Sequence, residues 1–83
     1  MNKNFEANVK KCEEILKETA ELKPGQYLKN DVLIIKYDGC CAIGLMQGSE
    51  WIHCYEFENE KFIRYEPMTR SDMDWALSDA KTL

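Results

Sequence analysis

Residues 26–65 are QYLKNDVLIIKYDGCCAIGLMQGSEWIHCYEFENEKFIRY, and their pattern specifies a sheet. Four turn signals interrupt the run: Asn30–Asp31, Asp38–Gly39, Gln47–Gly48–Ser49 and Glu58–Asn59–Glu60. Asp38–Gly39 is the strongest, because a type I′ turn needs positive φ at both central positions. The stretches between are rich in β-branched and aromatic residues. They read as strands near Tyr27–Leu28, Val32–Tyr37, Cys41–Met46, Trp51–Phe57 and Phe62–Tyr65. Short connections make neighbouring strands antiparallel, which gives a meander of four or five strands.

Side-chain alternation divides this sheet into two faces. Leu33, Ile35 and Tyr37 point one way; Val32, Ile34 and Lys36 point the other. Both faces are partly apolar. One is expected to meet the helices. The other is expected to be partly exposed or to meet another chain.

Upstream, Phe5, Val9, Cys12, Leu16 and Thr19 recur at steps of four and three, with Ile15 widening the stripe. That is one face of a helix over about 4–20, capped by Asn4 and stopped before Pro24–Gly25. A lone helix of this length is marginal in water, so its stripe needs the sheet. Downstream, Pro67 ends the last strand. Thr69 or Ser71 then caps a second helix over about 71–81, with Ser71 and Asp74 close to a capping box. Met73, Ala76, Leu77 and Ala80 form its apolar stripe, and Trp75 lies off to one side. The expected architecture is α+β: one small domain over 1–83, with a sheet at about 26–66 flanked by an N-terminal helix and a short C-terminal one.

Eighty-three residues make one domain with a small core, hiding only about 60% of the unfolded surface. The formal charge is −4, and residues 50–83 carry all of the excess, with eight acids against four basic residues. Such a balance opposes a phosphate-backbone binder, which needs clustered Lys and Arg, and opposes an anionic membrane surface. It permits attraction to a basic protein surface. The early residues lack the order of a signal peptide, and no apolar run can span a bilayer. The expected compartment is therefore the cytoplasm, where four cysteines are expected mostly as free thiols.

Cys40, Cys41, His53 and Cys54 invite a metal reading. Their spacing opposes it. Zinc pairs are set two to four residues apart, whereas these pairs are adjacent, and adjacent strand residues face opposite ways. A hairpin turning at Gly48–Ser49 sets Cys41 opposite Glu56 and Cys54 opposite Ile43. Neither a metal nor another cofactor is expected. His53 beside Cys54 is no dyad either, because a thiolate needs its base within about 3 Å. There is no glycine-rich phosphate loop, HExxH or nucleophile elbow.

What remains is an acidic, aromatic surface. Aromatics flanked by charge are common anchors of protein interfaces. The expected function is a non-enzymatic protein-interaction module, an inhibitor or adaptor acting by steric and electrostatic occupation of a partner's basic patch. Its expected binding residues are Trp51, Tyr55, Glu56, Glu58, Glu60 and Arg64. Two alternatives stand beside it. One is a small enzyme or ligand-binding domain using His53 and a cysteine. The other is a nucleic-acid-binding module, opposed by the acids around Lys61, Arg64 and Arg70. A homo-oligomer paired through an exposed sheet face is a further arrangement to test.

Overall fold

A strand that is apolar on both sides needs cover on both sides, and here each helix takes one face. The structure is a computed structural model that describes residues 3–48 and 50–83. In chain order the elements are α1 (Lys3–Glu18), β1 (Gly25–Lys29), β2 (Val32–Tyr37), β3 (Cys40–Gln47), β4 (Trp51–Glu58), β5 (Lys61–Thr69), α2 (Asp74–Asp79) and β6 (Lys81–Thr82). The fold is α+β, as expected. The six strands lie in the order β5-β4-β3-β2-β1-β6. The first five are the antiparallel meander. The sixth exceeds the expected count and pairs parallel to β1 through Tyr27–Lys81 and Leu28–Thr82.

Under α1 lie Tyr27, Ile34, Cys41, Ile43, Leu45, Tyr55 and Phe57, met by Cys12 and, at the margins, Phe5, Val9, Ile15 and Leu16. The opposite face packs Leu33, Ile35, Ala42, Ile52 and Cys54 against Met73 and Ala76 of the α2 region. Ile34, Ile43, Leu33 and Ile52 are essentially inaccessible. Each such side chain contributes about 1.5–3 kcal/mol of burial.

α1 begins at Lys3, so Asn4 lies inside it rather than capping it. It ends at Glu18, before Pro24. There the Thr19 hydroxyl donates to the Ile15 carbonyl at 2.7 Å. Lys36 Nζ donates to the carbonyls of Thr19 and Ala20 at 2.7 and 3.2 Å. A cation on these orphan carbonyls also suits the negative end of the helix dipole.

The turns set the pairing. Asn30–Asp31 (φ 48° and 64°) and Asn59–Glu60 (φ 51° and 67°) are left-handed at both central positions, as type I′ requires. At Asp38–Gly39 the positive φ belongs to Gly39 (73°), so the pair expected to be the strongest I′ turn is not one. The β3–β4 loop is one residue longer than expected: Gln47 pairs with Trp51, Cys41 with Phe57 and Cys54 with Gly44. The expected pairing of Cys41 with Glu56 would have set an acid among the apolar side chains under α1. A one-residue slip exchanges the faces of a whole strand, so burial fixes the longer loop.

Between β4 and β5 the register shifts at Glu56/Phe57: Phe57 pairs with Phe62 but Glu56 with Arg64, which leaves Ile63 as the extra residue. This bulge has a consequence for both faces. Without it Tyr65 would fall on the face of Glu56. With it, Phe62 and Tyr65 both turn beneath α1 and join Phe5, at centroid distances of 5.7 and 5.5 Å. β5 continues through Pro67 to Thr69 instead of ending at the proline, which an edge strand tolerates because its outer N–H side needs no partner; this edge is blunted by the bulge, by Lys61, Arg64 and Glu66, and by Pro67 itself, which has no N–H to offer.

α2 is shorter than the expected 71–81 helix. The preceding turns are closed by Thr69 and Asp72: the Asp72 N–H donates to Thr69 Oγ1 at 3.3 Å, and the Thr69 N–H to Asp72 Oδ2 at 3.2 Å. The reciprocal pair is thus Thr69–Asp72, not Ser71–Asp74. Ala80 is extended (φ −71°, ψ 135°), and the chain passes directly into β6.

Candidate functional site

α2 is only six residues long and cannot cover the whole sheet face it packs on. Beside it lies a groove of about 190 Å³. Its floor is Ile35, Ala42 and Cys54, and Met68 and Met73 line its wall. Tyr37, Trp75, Glu56, Arg64 and Glu66 form the rim. Tyr37 and Trp75 are 47% and 56% exposed. Strand alternation explains the set: Ile35 and Tyr37 share a face, as do Cys54 and Glu56, and the bulge swings Arg64 to join them.

The charges are unevenly used. Arg64 Nε donates to Glu56 Oε2 at 2.6 Å. That hydrogen bond, together with the Glu56 charge, raises the Arg64 pKa above its ordinary value. Burial, then Glu56, pushes the Tyr37 hydroxyl upward as well. Glu66 makes no side-chain hydrogen bond or ion pair among the described residues, and meets Arg64 only as a nearby charge.

The six residues expected at a binding surface are dispersed. Glu56 and Arg64 meet at the groove. Glu58 and Glu60 are exposed at the adjoining hairpin end. Trp51 is exposed at the far end of β4, about 23 Å from Glu58 at 3.3 Å per residue, and on the other face. Tyr55 is 1% exposed, and its hydroxyl accepts from Asn8 Nδ2 at 3.0 Å beneath α1. It is a core residue. At the groove the exposed aromatic surface belongs to Trp75 and Tyr37 instead. Trp75 was legible as a residue lying off its helix stripe.

The reactive-looking groups do not converge. Cys41 and His53 lie on the α1 face, four residues apart along the ladder, or about 13 Å. Cys54 lies on the other face. His53 Nδ1 and the Tyr65 hydroxyl are 2.6 Å apart, with the rings stacked at 15°. Burial pushes the Cys12 thiol up to about 12 and those of Cys41 and Cys54 to about 11. Such thiols stay protonated at neutral pH, the opposite of an activated nucleophile. Among the described residues no three His, Cys, Asp or Glu side chains gather about one point. Among the same described residues no helix is long and apolar enough to cross a membrane.

No protein-family model, curated protein or solved structure matches this chain.

Proposed function

We propose that the chain is a non-enzymatic interaction module that occupies a basic patch on a partner protein, as an inhibitor or adaptor. The carrying observation is the groove beside α2: exposed Tyr37 and Trp75 stand next to Glu56 and Glu66 on a sheet face that its helix only partly covers. Exposed aromatics give a partner large contact area at low entropic cost, and a polar rim fixes orientation. The acidic excess of residues 50–83 favours a basic partner and speeds its approach. Four free cysteines suit the reducing cytoplasm.

Its action is occupation rather than bond making. Two features support this over the His53–cysteine reading: the protonated buried thiols, and the separation of Cys41 from His53. The test is affinity capture from the native cell with the full chain, beside a Glu56→Lys/Glu66→Lys chain. The expected result is a partner held by the first, released by salt, and lost by the second. Equal retention by both chains contradicts the reading. Sedimentation at several concentrations separates self-association from it.

A further inference from the structure

Resting on that reading, we infer that the groove beside α2 takes an arginine side chain of the partner, stacked on Trp75 with Glu66 as its counter-charge. The apolar floor and wall, Ala42, Met68 and Met73, suit the methylene stem of a long cationic residue. Trp75 is 56% exposed, and an indole attracts a cation more strongly than the other aromatic rings do. Glu56 is already engaged by Arg64, so Glu66 is the carboxylate left to pair.

Charge and size exclude other occupants. The rim bears two acids and one arginine, a net charge of −1, which repels an anion. A volume of about 190 Å³ falls below the roughly 300–1,000 Å³ of small-molecule sites, but suits one side chain. A second copy would bring the same acidic rim and a net −4. Its Arg64 is held by Glu56, and Arg70 Nη2 is turned to Met46 Sδ at 2.9 Å. Arginine is favoured over lysine because the planar guanidinium is weakly hydrated and stacks.

The chain has two tryptophans, so Trp51→Phe leaves Trp75 as the only indole reporter. The full-length Trp51→Phe protein is titrated at low salt with hexa-arginine amide, with hexalysine and hexaglutamate beside it. Indole fluorescence and amide chemical shifts are followed. The expected result is a change at Trp75 and Glu66 with hexa-arginine, a weaker one with hexalysine and none with hexaglutamate. Glu66→Gln, and Trp75→Ala read by chemical shift, should each weaken hexa-arginine binding about threefold to fivefold. Trp75→Phe should retain part of it, which separates loss of stacking from loss of fold. Equal binding of the two basic peptides, affinity unchanged by Trp75→Ala, or shifts centred on Glu13, Glu14 and Glu18 of α1 overturns the proposal. The two readings fail separately. A captured partner indifferent to Trp75→Ala and Glu66→Gln removes the arginine slot but leaves the module. Hexa-arginine bound at Trp75 with no charge-sensitive partner in the cell removes the module but leaves the slot.

Discussion

Gly44→Ala isolates the packing between the central strands. Gly44 lies in β3 opposite Cys54, on the face that meets α2. A methyl group there would sit 2.8 Å from Ile52 Cγ2 and 3.3 Å from Leu33 Cβ. Carbon atoms rest at about 3.5–4.0 Å, so both contacts are repulsive. Ile52 and Leu33 are 1% and 0% exposed and have little room to retreat. Overpacking of this kind costs about 1–3 kcal/mol. Against it stands a gain of about 0.4–1 kcal/mol, because alanine restricts the unfolded chain. The clash wins, and the net loss is about 1–2 kcal/mol. For a domain of this size that lowers Tm by about 4–16 °C. Urea unfolding should show a lower midpoint at unchanged slope. Ile52→Ala alone should cost about 2–5 kcal/mol. The double variant should cost less than the sum by about 0.5 kcal/mol or more, since the alanine methyl enters the space Ile52 leaves. A Gly44→Ala protein as stable as the parent contradicts the close packing of Leu33 and Ile52 over Gly44. So does strict additivity, because Gly44 and Ile52 would then not touch, and the β3–β4 register would be wrong.

Three further outcomes are expected. At pH 8 a thiol reagent should modify half-buried Cys40 first and reach Cys12, Cys41 and Cys54 only as the protein opens; one common rate for all four thiols contradicts their burial. Those three thiols have folded pKa values of about 12, 11 and 11 against an ordinary 9.0, so the unfolded chain gives up protons first as pH rises. Their stabilising effect is whole below pH 9.0 and is lost as pH climbs towards 11–12, at up to about 1.4 kcal/mol per pH unit for each thiol. A urea midpoint that stays flat from pH 9 to 11 contradicts this. Asp31→Gly should stabilise the fold by about 0.5–1 kcal/mol, because Asp31 is held at φ 64° in a type I′ turn where Asn-Gly is preferred. A lowered thermal midpoint would place that turn in another geometry.

Much of the fold is legible in local chemistry. The stripe from Phe5 to Thr19 carries helical spacing. The strand between Val32 and Tyr37 alternates, and Asn30–Asp31 and Asn59–Glu60 mark their hairpins. What is hidden depends on contacts between distant segments. The added residue in the β3–β4 loop follows from keeping Glu56 off the face under α1. The bulge at Ile63 follows from bringing both Phe62 and Tyr65 to Phe5. β6 is only two residues, too short to show alternation, and it depends on the free edge of β1. The surface is harder to read than the fold for the same reason. Tyr55 and Trp75 are both aromatics flanked by charge in sequence, and only the placement of α1 and α2 decides that one is buried and the other stands clear.

The proposed contact between the sheet face beside α2 and a basic partner can be measured directly. The direct measurement is parallel capture from the native cell with the parent chain and with Glu66→Gln/Trp75→Ala. A partner should elute from the parent column at moderate salt and be depleted on the double-variant column, with both proteins unfolding at similar temperatures. The same partner at the same level on both columns contradicts it.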